Sequence, residues 1–305
     1  MKNRKDMLQI GKVCTLKINR QVDFGFYLEG GEPYGEILLP NGEIRSDIDI
    51  HIGEMIDVFL YLDQQERIVA TTHMPLAQVG DFAYLEVAWI NNFGAFLHWG
   101  PQKDLFVPFR EQKMKMQKGH RYIVHVHLDD ETCRIMASAK VERYLSEEFP
   151  PYHTGDAVDL LIWQKTDLGL KAIVDGRYGG LLYDSQMFRT LHTGDRVRGY
   201  VSQIREDGKI DLALQCPGQQ GVLDFSTQLL RHLEMNGGQT PLGDKSPAEE
   251  IYAVFGVSKK VFKKAVGDLY RKRLIEISSN GIRMTSRQTD KELANITFFH
   301  SSSFS

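Results

Sequence analysis

Phe93, Phe96 and Trp99 crowd around one glycine, Gly94, in the segment NFGAFLHWG. Flat π faces held in a row suit one kind of chemistry: stacking against nucleic-acid bases, worth about 1–3 kcal/mol per base and nearly indifferent to base identity. Residues three apart on an unbroken strand face opposite ways. Phe93 and Phe96 therefore share a face only if the chain bulges at Gly94. Arg134, placed on the last strand of the same module, would supply a phosphate contact. Around Gly25 the equivalent positions hold Phe24 and Tyr27, and around Gly169 they hold Leu168 and Lys171. Exchange of aromatic, leucine and lysine at one position suits an exposed face. The competing reading, rings buried as barrel core, stands beside it, because buried aromatics are common.

A second cluster is cationic. Lys259, Lys260, Lys263 and Lys264, extended by Arg271, Lys272 and Arg273, lie opposite an apolar helical stripe of Val261, Phe262, Ala265, Val266 and Leu269. The patch reads either as a helix set against phosphates or as a solvated face.

Other chemistry is not signalled. His125 and His127 share a strand face but have no third ligand, so they are read as structural or surface residues and no metal site is expected. Asp129, Asp130 and Glu131 read as a hairpin turn. There is no GxxxxGK[ST] loop, GxSxG elbow or HExxH pair, so neither an enzyme nor a cofactor is expected. Cys14, Cys133 and Cys216 stand far apart without a CxxC partner, which fits a reducing compartment and argues against zinc. No apolar run approaches the roughly 18 residues of a membrane span, and the basic start MKNRKDMLQIG lacks the apolar stretch of a signal peptide. A cytoplasmic protein is expected.

The elements that must position these groups come from a repeat. Gly11 and Gly25, Gly80 and Gly94, and Gly155 and Gly169 are each 14 residues apart, and Gly53, Gly119 and Gly194 follow at similar distances. A period near 70 residues is too long for a solenoid and suits a row of small barrels. Alternating runs such as Val13 to Ile18, FAYLEVAWI and AVDLLIW are strands, and pairs such as RYIVHVHLD with CRIMASAK form hairpins. The expectation is three five-stranded barrels of the oligonucleotide/oligosaccharide-binding (OB) type, over 1–75, 76–146 and 147–220. A winged helix follows over 221–287, with a flexible tail over 288–305. The fold class is mainly β with a C-terminal α+β module. In the last module Ser246 and Ser258 are expected N-caps, Gly256 a helix stop and Asn280-Gly281 a hairpin turn. The net charge of −3 hides segments of −4 (8 Lys/Arg, 12 Asp/Glu over 1–75), +1 (9 and 8 over 76–146), −3 (8 and 11 over 147–221) and +3 (12 and 9 over 222–305). A nucleic acid would favour the second and fourth.

The Phe-Gly-x-Phe/Tyr strand resembles the S1 RNA-binding domain. In that family the aromatic before the glycine, the one two after it and a histidine on strand three contact RNA, which implies roles for Phe93 and Phe96. The histidine position is aligned to Leu39, Val107 and Tyr183 in the three modules, so only Tyr183 offers a contact there. As a whole the chain resembles the conserved virulence factor B family, also called YitL-like, through GEMIDVFLYLDQQERIVATT, NFGAFLHWGPQKDLFVPFREQ, GGLLYDS, REDGKIDLALQ and DKSPAEEIYAVFGVSKKVFKKAVGDLYRKRLIEI. The resemblance implies three S1-type domains, a winged helix, and a bacterial RNA-binding protein that affects gene expression without catalysis.

Three functions follow as expectations. The first is a non-catalytic single-stranded RNA-binding protein, a post-transcriptional or gene-expression regulator. It would use Phe93, Phe96, Trp99 and Arg134, with help from Phe24, Tyr27 and Tyr183; the third module would be a spacer or docking surface. The second is an interaction scaffold on RNA-processing, transcription or ribosomal machinery. The third is a DNA-binding regulator acting through the winged helix, which would need a dimer; the chain shows no dimer element, and a monomer is expected.

Overall fold

The protein is described from a computed structural model. It covers residues 9–184, 187, 189–216, 219–278 and 281–285, with backbone only over 219–224. The expected tail and Asn280 of the expected hairpin turn lie outside the described residues, as do Pro217 and Gly218.

Three closed five-stranded barrels form along the chain. The first contains β1 (Val13–Val22), β2 (Gly25–Gly31), β3 (Gly35–Pro40), β4 (Met55–Leu62) and β5 (Ile68–Thr71). The second contains β6 (Phe82–Ile90), β7 (Gly94–His98), β8 (Leu105–Pro108), β9 (Arg121–Leu128) and β10 (Ile135–Ser138). The third contains β11 (Ala157–Thr166), β12 (Gly169–Val174), β13 (Tyr178–Tyr183), β14 (Arg196–Ile204) and β15 (Ile210–Ala213). Each has the strand order 1-2-3-5-4, closed by a parallel pairing of its third and fifth strands. Alternation drives them: in β6, Leu85 and Val87 point into the core while Tyr84 and Glu86 point outward.

The repeated glycines have two physical causes. Gly80 opens its module at φ 95°, in the left-handed region that a side chain disfavours. At Gly94 the cause is close approach. An added Cβ would lie 2.3 Å from the Val107 carbonyl oxygen, and at Gly25 and Gly169 it would lie 2.2 Å from the carbonyls of Leu39 and Leu182. Strands two and three of each barrel can close only over a residue with no side chain.

The first two barrels belong to one compact unit. Phe59 of β4 enters the core of the second barrel and meets Trp99 edge-on at 5.4 Å. Backbone hydrogen bonds from Val79 N–H to the Gly11 carbonyl (3.0 Å) and from Leu76 N–H to the Trp99 carbonyl (2.6 Å) join them.

The C-terminal module packs α1 (Gln219–Met235), α2 (Ala248–Phe255) and α3 (Lys259–Arg271) beside a small sheet of β16 (Gln239–Thr240), β18 (Gly281–Met284) and β17 (Ile275–Ser278). Phe225, Leu229, Ile251, Phe262, Val266 and Leu269 fill its core. Ser258 caps α3, accepting from Val261 N–H at 3.3 Å, and Gly256 ends α2 at φ 67°. Ser246 departs from expectation. Its hydroxyl accepts from Gly243 N–H at 3.0 Å, and Pro247 occupies the cap of α2 without a side-chain bond. The short β16 was not legible beforehand, since two residues carry no period.

Candidate nucleic-acid interface

On the second barrel the turn before β7 presents Phe93. Asn91 Oδ1 accepts from Phe93 N–H at 2.8 Å and Gly94 N–H at 3.2 Å, and the Phe93 carbonyl accepts from Phe109 N–H at 3.1 Å. This pinned turn leaves the ring 74% exposed. The expected bulge at Gly94 is absent; the register shift lies in the neighbouring strand, between Val87 and Trp89. It brings Trp89 opposite Phe96, and the rings stack at 3.8 Å with planes 3° apart. Phe106 of β8 continues the surface at 4.9 Å from Phe96. Phe93, Phe96, Phe106, Pro108, Met136 and Arg110 line one open hollow.

Asp104 holds the arrangement. It accepts the Trp89 indole N–H at 2.9 Å, and His98 Nδ1 lies 2.9 Å from its other oxygen. Arg110, paired with Asp129 only at 3.5 Å, carries the positive charge at the rim.

Trp99 is 4% exposed and donates its indole N–H to the Lys103 carbonyl at 2.7 Å, so it is core and cannot stack on a base. Arg134 precedes β10 and sits away from the hollow, 3.8 Å from Glu66. The strand-three position facing the platform is Phe106, paired with Phe96, whereas Val107 points into the core. Leu39, Val107 and Leu182 hold the same core position, opposite Gly25, Gly94 and Gly169. In the first barrel Tyr27 pairs with Leu38 while Leu39 is core. In the third, Leu182 is the core equivalent and Tyr183 falls one step beyond, its hydroxyl accepting from Arg205, which also pairs with Asp211 at 3.1 Å. Trp89, Phe106 and Arg110 were missed; FAYLEVAWI contains Trp89, but only the shift in β6 turns it to the platform.

The same pair of positions differs in the other barrels. In the first, Arg20 stands 4.1 Å over the Tyr27 ring and pairs with Glu36 at 2.7 Å, while Phe24 is 57% exposed and edge-on to Tyr27. In the third, Gln164 pairs with Lys171, whose ammonium stands 5.4 Å over Trp163, and Leu168 is exposed.

His125 is buried, stacked on Tyr144 at 4.0 Å. Burial first, then the neighbouring His127, pushes its pKa down to about 4, against the opposing pull of Asp81. Among the described residues no three His, Cys, Asp or Glu side chains converge as a metal would need. In the winged helix, Lys260, Lys263 and Lys264 are exposed on α3, Lys259 is half-buried, and Arg271, Lys272 and Arg273 are exposed after them. Lys263 pairs with Asp244 at 3.2 Å and Arg271 with Asp268.

The S1 domain model matches residues 10–73, the first barrel, and the CvfB-like winged helix domain matches residues 227–284. Protein YitL of Bacillus subtilis (strain 168) is 31% identical over 284 residues, 88% of this chain and 92% of that protein. The chain belongs to the conserved virulence factor B family. Conserved virulence factor B of Staphylococcus aureus (strain MSSA476) is 23% identical over 296 residues, covering 93% of this chain and 98% of the relative. A crystal structure described as a multidomain protein with nucleic acid binding domains, from Streptococcus pneumoniae tigr4, is 21% identical, covers 90% of this chain and 98% of its own, and superposes with a TM-score of 0.37. This member of the conserved virulence factor B family combines S1-type barrels with a winged helix, and the S1 domain model matches its first barrel. Among the described residues no helix is long and apolar enough to cross a membrane.

Proposed function

We propose that the chain is a non-catalytic single-stranded RNA-binding protein that regulates gene expression after transcription, with the second barrel as its main contact. The observation that carries this reading is the exposed Phe93 ring beside the Trp89–Phe96 stack and Phe106, with Arg110 at the rim. The rings accept successive bases and the guanidinium a phosphate. Stacking accepts any base, so sequence preference is modest. The first barrel adds Phe24 and Tyr27, and the lysines of α3 add electrostatic attraction. The test is fluorescence anisotropy with labelled single-stranded RNA at several salt concentrations, with matched DNA alongside. Log affinity should fall linearly with log salt, RNA should bind more tightly than DNA, and the double variant Phe93→Ala/Phe96→Ala should lose most of the affinity. Unchanged affinity in that variant refutes the site.

A protein partner in the RNA-processing, transcription or translation machinery is the second reading, and the third barrel favours it. There Leu168 and Lys171 replace the ring pair and Leu168 is exposed, a surface better suited to a protein than to a base. A complex that survives nuclease treatment and is lost with Leu168→Asp supports this reading.

A further inference from the structure

The hollow on the second barrel does not end at Phe106. The same ring also lines a groove of about 420 Å³ between the first and second barrels, with Tyr61 and Gln64 from the first, and Gln102, Lys103 and Arg134 from the second. We propose that this groove carries the continuation of the RNA strand bound on the Phe93–Phe96 platform, so that the two barrels bind one strand as a single site. The proposal rests on the RNA reading above and extends it to residues outside the platform.

Four observations support it. The path is continuous: Phe106 faces both hollows, and Met136 and Ile135, neighbours in β10, line one each. The walls are already fixed, because Phe59 is inserted in the second core and the Gln102 amide donates to the Gly42 carbonyl. Binding therefore costs little ordering of protein. The groove has the right chemistry: the Tyr61 ring, positioned by donating its hydroxyl to Glu43 at 2.8 Å, lies 5.3 Å under the Lys103 ammonium. Arg134 pairs with Glu66 at 3.8 Å, with both side chains more than half exposed. Such a pair contributes little, so the guanidinium is available to a phosphate.

Of the two carboxylates that line the groove, Asp63 is paired with a permanent cation, Arg67, whereas Asp104 is oriented by hydrogen bonds and keeps its charge. Asp63 accepts from Gln65 N–H, Arg67 N–H and the Arg67 guanidinium within its own turn, at 2.8–3.0 Å. Asp104 is occupied by Trp89 and His98. Arg134, in the groove lining and away from the platform, would thus meet the same strand further along its length.

The test uses the full chain with fluorescein-labelled oligouridines of 4 and 12 nucleotides, and the double variant Lys103→Ala/Arg134→Ala. The short oligomer covers the platform alone, since one barrel of this kind occupies about 4 or more nucleotides. Near 50 mM salt the variant should bind the 12-mer about tenfold more weakly, with its salt slope reduced by about 1.4, or about 0.7 for each of two phosphate contacts on a single strand. Its affinity for the 4-mer should change less than about twofold, and the charge-conserving pair Lys103→Arg/Arg134→Lys should restore 12-mer binding. An unchanged 12-mer, or an equal loss on both lengths, overturns the groove. Loss of both lengths in Phe93→Ala/Phe96→Ala with an unchanged 12-mer in the groove variant would leave the platform standing and the groove refuted. A wild-type chain that binds neither length would remove both.

Discussion

Phe93 and Phe96 separate binding from folding, because the structure treats them differently. Phe93 projects from a turn, 74% exposed, and its turn is held by backbone and Asn91 hydrogen bonds that do not involve the ring. Phe93→Ala should therefore shift stability by no more than about 0.5 kcal/mol, the range of ordinary surface changes. If the ring stacks on one base, the same change removes about 1–3 kcal/mol of binding, a loss of roughly 5- to 150-fold in affinity. Phe96 lies against Trp89 at 3.8 Å and Phe106 at 4.9 Å. Its removal breaks two aromatic contacts of about 0.5–1.5 kcal/mol each, so Phe96→Ala should cost about 1–3 kcal/mol of stability in addition to affinity. The assays are urea unfolding followed by circular dichroism, and anisotropy with a short oligouridine. Wild-type affinity in Phe93→Ala would refute the stacking argument, and a large loss of stability in that variant would refute the claim that its ring is free of the core.

Three further outcomes are expected. Gly94→Ala would drive a Cβ to 2.3 Å from the Val107 carbonyl oxygen and 2.9 Å from the Phe106 ring; a loss of about 2–3 kcal/mol in urea unfolding is expected from such overpacking, and an unchanged midpoint would contradict the close approach. Asp104→Ala should release Trp89 and weaken RNA binding about 2- to 5-fold with a charged hydrogen bond lost, whereas Asp104→Asn, still able to accept from the indole, should retain affinity; equal losses would deny the positioning role. His125 has a folded pKa of about 4, below the unfolded value near 6.5, so the unfolded chain takes up the proton first and stability is lost as pH falls from about 6.5 toward 4. The loss by pH 5 should reach at most about 2 kcal/mol, and His125→Phe should flatten unfolding midpoints between pH 7 and 5; an equally steep variant would assign the dependence elsewhere.

Much of the fold was legible because it rests on local rules. Glycines spaced 14 residues apart, alternating runs such as FAYLEVAWI, and the apolar stripe Val261 to Leu269 are each consequences of strand or helix geometry. Three barrels and a winged helix follow from them, whereas for Phe93 and Phe24 the sequence leaves exposure and core burial both open. The site was only partly legible. Trp99 reads as a third ring in line, yet it is core, because Phe59 of the first barrel packs against it. Trp89 reads as one more alternating strand residue, yet a one-residue shift in β6 lays it flat on Phe96. A shift of one position exchanges the two faces of a strand, so strand register alone turns Val107 inward and Phe106 outward, and sets Tyr183 one step beyond Leu182. Arg134 went to the inter-barrel groove because that groove exists only once two barrels have docked. Residue order determined which elements form and which rings and cations exist. Which of them share a surface was decided by strand register and barrel packing, since both depend on contacts between residues distant in the chain.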